Sequence, residues 1–176
     1  MDIVKLLTQD HAEVNKLFGR FGRSSKPETL KRLAREIIHE LSVHAAVEEQ
    51  FVYPLLRLKV EGGNGLADHA IDEHQEVKRL LADLERMDPA DAEFPSKMDR
   101  VTAAVREHVS DEEGDVLPKL KATVDSGLRE NLGSLVENAK SVVPTHPHPL
   151  VPGTATAQLI AGPWASIVDR IRDLVA

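Results

Sequence analysis

Apolar residues recur along this chain in steps of three and four, the spacing of one face of an α-helix. At several steps a histidine or glutamate stands where the stripe should be apolar. Asp2 can cap a first helix with Ile3, Leu7, Val14 and Phe18 inward; His11 fills the gap, and the helix ends near Gly19 and Gly22. A polar loop through Ser24 and Ser25 leads to Pro27, suited to the first turn of a second helix. That helix is the most regular element, with Leu30, Ala34, Ile37, Leu41, His44, Glu48, Phe51, Leu55 and Leu58 on one stripe. Pro54 should bend it or break it locally. Glu61-Gly62-Gly63-Asn64-Gly65 is a break, and a third helix follows with Ala67, Ala70, His74, Val77, Leu81 and Leu84 inward. Met87-Asp88-Pro89 closes it.

After a loop to Pro95, the fourth helix carries Met98, Val101, Val105, His108, Glu112 and Val116. Pro118 bends or restarts the chain into Leu120 and Val124, and residues 128–142 read as a short amphipathic helix through Leu128, Leu132, Leu135, Ala139 and Val142. Four long helices with short connections predict an all-α protein, an up-down-up-down four-helix bundle over residues 1–142. Residues 143–176 form a separate tail: a stiff linker, Pro144-Thr145-His146-Pro147-His148-Pro149, then a short helix with Trp164, Ile167, Val168, Ile171 and Leu174 on one side. That helix either packs back on the bundle or makes a protein or self contact anchored by Trp164.

Composition narrows the class. Aromatics make up 3% and hydrophobic residues 41%, which favours helices over a sandwich or barrel. The net charge of -7 argues against a general nucleic-acid binder. With no cysteine, disulfides, thiolate catalysis, Cys-ligated zinc and iron–sulfur clusters are excluded. Neither a signal peptide nor a run of membrane-spanning length is visible, so a cytoplasmic location is the default expectation.

The stripe interruptions carry the chemistry. His44 with Glu48, and His108 with Glu112, are pairs four residues apart on one helix face; His11 and His74 complete a set drawn from all four helices. Any one of these histidines could be a hydrogen-bonded core residue. Burying four imidazoles and two carboxylates together without partners costs several kcal/mol per unpaired ion (an order-of-magnitude figure), whereas bound metal reverses the sign. A nitrogen-rich, thiolate-free donor set with two carboxylates suits two ions of iron, ahead of manganese, and is too large for one tetrahedral zinc.

On these residues the chain resembles the hemerythrin-like (HHE cation-binding) family, and its actinobacterial members in particular. The matching positions are His11, His44 with Glu48, His74 within Asp72-Glu73-His74-Gln75-Glu76, and His108 with Glu112, over roughly residues 1–125 on helix order. The resemblance implies two iron ions bridged by oxo or hydroxo, acting on small molecules such as H2O2, O2 and NO. It implies catalase-like peroxide decomposition or nitric oxide handling by a di-iron oxidoreductase. The alternative is reversible O2 or NO binding, or sensing, without turnover.

The sequence departs from oxygen-carrying hemerythrins on the third helix, where the earlier of two histidines is replaced by Ala70. His69 is adjacent but rotated by about 100°, so it should point away from the centre. The fourth-helix acid also lies closer to its histidine than in those carriers, and one iron is short of a nitrogen ligand. Tyr53, the only tyrosine, is the candidate substitute ligand and catalytic residue. An ideal helix places it about 140° from Glu48 with an outward hydroxyl; a bend at Pro54 would turn it inward. His39 reads as solvated, and His146 and His148 as linker residues open to adventitious metal. Glu49, Asp72, Glu73, Asp111 and Glu113 read as solvated face, or as carboxylates fixing a ligand imidazole.

Overall fold

The structure, a computed structural model, describes residues 1–141 and 143–149. The expected helix around Trp164 lies outside the described residues, as does Val142. Asp2 caps α1 (Ile3–Gly22) by accepting from the Val4 N–H at 2.8 Å. Pro27 opens α2 (Pro27–Val47), which runs through a π-helical turn, Glu48–Val52, into α3 (Tyr53–Lys59). Gly62, at a φ of 72°, reverses the chain into α4 (Gly63–Arg86). The fourth long helix is α5 (Phe94–Asp111), again leading through a π turn, Glu112–Val116, into α6 (Leu117–Thr123). The helix expected over 128–142 is α7 (Ser126–Ala139), which packs on α1.

The long helices make an all-helical up-down-up-down bundle, with α1 against α2 and α4 against both α5 and α2–α3. Its apolar interior is in two blocks. One is built from Ile3, Leu7, Phe51, Leu55, Leu120 and Val136 with their neighbours; the other, toward the opposite end, from Val14, Phe18, Ile37, Leu81, Phe94 and Val101. Between the blocks lies a layer of buried histidine and glutamate. Among the described residues, no helix is long and apolar enough to cross a membrane.

Both prolines act through the π turns. Proline has no N–H and its ring crowds the carbonyl four residues back. Each helix therefore admits one extra residue just before it: the N–H of Tyr53 donates to the Glu48 carbonyl, and that of Leu117 to the Glu112 carbonyl. The extra residue shifts the helix register. Leu58, expected on the inner stripe, is consequently 60% exposed, while Tyr53 and Leu56 turn inward.

The N-terminus is pinned against α7. Arg129 donates to Asp2 Oδ2 at 2.8 Å and to the Lys121 carbonyl at 3.0 Å. A Cβ at Gly133 would stand 1.8 Å from the Met1 carbonyl oxygen. Gly133→Ala gains about 1 kcal/mol of helix propensity, but the overlap with backbone costs more, roughly 1–3 kcal/mol or above. A lowered thermal midpoint is expected; an unchanged or raised one would show that the N-terminus yields freely.

Candidate metal centre

Four elements deliver one inward-facing imidazole each: α1 gives His11, α2 His44, α4 His74 and α5 His108. Their Nε2 atoms face each other in two pairs, His11 to His44 at 3.1 Å and His74 to His108 at 3.3 Å. Glu48, fully buried, lies between them: Oε1 is 3.2 Å from His44 Nε2 and Oε2 is 3.2 Å from His74 Nε2. Glu112 Oε2 is 3.2 Å from His11 Nε2 and 3.9 Å from His108 Nε2. These atoms form two groups able to hold a cation, His11–His44–Glu48–Glu112 and Glu48–His74–His108, with Glu48 common to both.

The outer nitrogens are held by carboxylates. His11 Nδ1 is 2.8 Å from Glu113 Oε1, His74 Nδ1 3.0 Å from Glu49 Oε1, and His108 Nδ1 2.9 Å from Glu73 Oε2. A carboxylate accepting from Nδ1–H fixes the tautomer with its Nε2 lone pair free toward the interior, the arrangement a metal-binding imidazole needs. Asp10 Oδ2 stands farther from His44 Nδ1, at 3.7 Å, and is itself gripped by Lys140 Nζ at 2.6 Å.

The two halves correspond. Asp10-His11, His44, Glu48-Glu49 and Pro54 in the first match Glu73-His74, His108, Glu112-Glu113 and Pro118 in the second, and each half's Glu-Glu pair supplies the carboxylate that orients the other half's first histidine. Inside the buried layer the symmetry fails at Tyr53 and at Lys78. Tyr53 corresponds to Leu117. Its hydroxyl is buried, donating to Glu48 Oε2 at 3.3 Å and lying 3.2 Å from His74 Nε2. Lys78 corresponds to Asn15; it is buried and donates to both Glu49 oxygens at 2.6 and 2.9 Å.

The inward position of Tyr53 settles the two orientations left open above, by a different cause from the one expected. A bend at Pro54 is not what turns it. The π turn makes residues five apart stack, so Tyr53 lies over Glu48 rather than 140° away (about, for an ideal helix). Asp10 and Lys78 were not anticipated; each lies one position before or four after a stripe histidine, which is the signal that could have found them. His69 is exposed, as expected, and His39 sits exposed beside Glu40. His146 pairs with Glu85 at 2.5 Å, away from the centre.

Charge in this layer is poorly balanced by protein alone. Burial pulls His44 down, but Glu48, with Asp10 and Glu112, outweighs it and lifts the imidazole to about 10. Burial likewise opposes the charged form of His108, yet its bonds to Glu48 and Glu73 lift it to about 10. Glu48 is held well below the usual carboxylate range, burial being outweighed by His44, His108 and His74. Glu112 is pushed up by burial and by Glu48. Burial and the surrounding carboxylates push the Tyr53 phenol well up. Glu49, against burial, is held down by His74 and Lys78.

The residues fit a pair of cations. His44 Nδ1, Glu48 Oε1 and both Glu112 oxygens are buried without a hydrogen-bond partner. Donor atoms about 3 Å apart are what bonds of about 2.1 Å to a shared ion produce. On the side away from Tyr53 the four histidines border a cavity of about 30 Å³, otherwise lined by Val14, Leu41, Val77, Lys78, Leu81 and Val105 among others. Fold and site together define a cation-binding helical bundle.

The comparisons agree. The chain belongs to the hemerythrin family, its residues 2–120 matching the hemerythrin HHE cation binding domain. It is 27% identical over 168 residues to an uncharacterized hemerythrin-like protein of Schizosaccharomyces pombe, covering 95% of this chain and 83% of that one. It is 29% identical to a DNA nickase of Nostoc over 81% of this chain, which spans 40% of that protein's length. In fold it resembles the crystal structure of a hemerythrin HHE cation binding domain-containing protein from Mycobacterium kansasii, with a TM-score of 0.71 and 20% identity, over 96% of this chain and 98% of that one.

Proposed function

We propose that this chain is a non-heme di-iron protein that decomposes peroxide in a catalase-like reaction, with nitric oxide as a second small substrate. The observation that carries this reading is the cavity of about 30 Å³ against four imidazole Nε2 atoms. It has room for about one water-sized molecule. Its walls are aliphatic apart from the histidines and Lys78, so a diatomic or peroxide fits where a larger substrate does not.

His11, His44 and Glu112 would hold one ion, His74 and His108 the other, and Glu48 both. Tyr53 stands beside the second group, which has fewer donors, and would complete it. When bound, a pair of iron ions supplies the electron transfer that converts peroxide to water and dioxygen. The protein's residues do the remainder. Glu49, Glu73 and Glu113 keep the imidazoles in one tautomer, and Val14, Leu41, Val77 and Leu81 exclude bulk water. Lys78 neutralises Glu49 beside His74, so two bound ions would sit in different fields. The net charge of -7 gives no support to carrying over the nickase name.

Oxygen evolution from peroxide by the iron-loaded protein tests the reaction. Sustained evolution is expected; a stable, reversible oxygen adduct with negligible turnover would replace this reading with a carrier or sensor. Tyr53→Phe separates the tyrosine's role. The ferric wild type is expected to show a phenolate-to-iron charge-transfer band that the variant lacks, and absence of the band from the wild type would reduce Tyr53 to a packing residue.

A further inference from the structure

The correspondence between the halves breaks down most completely on the surface beside His108. In the first half Leu6, Val47, Gln50 and Phe51 close the bundle and are all buried. Their counterparts are His69, Asp111, Gly114 and Asp115. Here the chain leaves a cleft of about 230 Å³, with His69, Glu73, Asp111 and Asp115 toward solvent and His108 and Glu112 of the buried layer also on its walls. A Cβ at Gly114 would meet nothing within 4 Å, so the space beside it is open. No lysine or arginine lines this cleft among the described residues, whereas the surface opening beside His11 carries Arg106.

We propose that His69, Glu73 and Asp111 form a divalent-cation site at the mouth of this cleft, through which ferrous iron is delivered to the buried centre. Their donor atoms lie within 4.8 Å of one another. His69 Nε2 is 3.5 Å from Glu73 Oε1 and 3.7 Å from Asp111 Oδ2, distances that leave room for an ion and are too long for good hydrogen bonds. The cleft also reaches the buried centre. Glu112 lines the same cleft, is 1% exposed, and has neither carboxylate oxygen hydrogen-bonded.

Glu73 joins the two places. One of its oxygens faces His69 and the other accepts from His108 Nδ1 at 2.9 Å. An ion at the rim is thus one carboxylate away from the ligand shell. One imidazole and two carboxylates suit ferrous iron, and three donors at an exposed site bind loosely enough to pass the ion on. The acidic walls raise the local concentration of divalent cations.

The inference rests on the proposed metal centre, and the test separates the two. Metal-free full-length protein is mixed with limiting ferrous ammonium sulfate without oxygen, and the rate at which iron becomes inaccessible to a chromogenic ferrous chelator is followed. His69→Ala and Asp111→Asn are expected to slow protection roughly tenfold, with the final iron content unchanged. His39→Ala, on an exposed histidine elsewhere, should load like the wild type. Equal rates in all the proteins would overturn the delivery role. Equilibrium titration with Co2+ reads the rim site directly: one weak equivalent, lost in His69→Ala, is expected whether or not the buried centre fills. Its absence from the wild type would overturn the site, while failure of the buried centre alone would show as loss of only the tight equivalents.

Discussion

If the proposed di-iron centre is right, Glu48→Ala is expected to leave the protein unable to retain either ion, with the metal content of the purified protein falling from two per chain toward zero. Among the described residues Glu48 is the one donor common to both groups. Residues that only orient a ligand are worth about 10–100-fold in metal affinity, and a shared ligand exceeds that at both ions at once. Glu112→Ala should behave differently. Glu112 belongs to the His11–His44 group, so that ion is lost first and the His74–His108 ion is retained longer. Metal analysis of the two variants side by side distinguishes the shared from the unshared carboxylate, and equal retention in both would contradict the assignment. Removing Glu48 also strips the buried histidines of their principal counter-charge. Breaking a buried pair costs about 3–5 kcal/mol, offset in part as the imidazoles shed protons.

The metal-free protein should lose stability as pH rises above neutrality, and the metal-loaded protein should not. His44 and His108 each have a folded value of about 10 against 6.5 for a free imidazole. A raised value stabilises the fold in full below 6.5, and the contribution disappears as pH climbs through 10. Glu112, also held up, acts in the same direction. Glu48 acts oppositely, stabilising above 4.5 and ceasing to do so as the medium becomes more acid. Without metal the centre is therefore proton-filled at neutral pH, and loading must expel those protons, about two per chain from His44 and His108. Thermal unfolding between pH 6.5 and 10, with and without metal, checks the first statement; proton release during titration with ferrous iron checks the second. A metal-free midpoint flat across that range would show the imidazoles to be neutral.

Much of this was legible in the residues because the bundle keeps a simple period. Leu7, His11 and Val14 occupy successive steps of one stripe, so the polar member announces itself as buried; the same logic found His44, Glu48, His74, His108 and Glu112. The period failed where the backbone stopped being an α-helix. A wheel drawn at 100° per residue (about the ideal value) puts Leu58 inside and Tyr53 outside, and the π turn before Pro54 reverses both. The proline marked the place but not the remedy, since a kink and a one-residue insertion look alike in sequence. Asp10 and Lys78 escaped for another reason. A charged residue beside a stripe reads as solvated, and only their partners, Lys140 just past the end of α7 and Glu49, draw them in.

The division of the interior into two apolar blocks makes the centre adjustable from either end. The small cavity takes its aliphatic walls largely from the block containing Val14, Leu41, Val77, Leu81 and Val105, whereas Tyr53 belongs to the block containing Phe51 and Leu120. Substitutions in the first can resize the small chamber while the phenol keeps its seat. Substitutions in the second can shift the phenol against Glu48 and His74 while the chamber keeps its shape. Chamber size and phenol position are in this way set by separate groups of side chains, and a descendant of this chain could alter one without renegotiating the other.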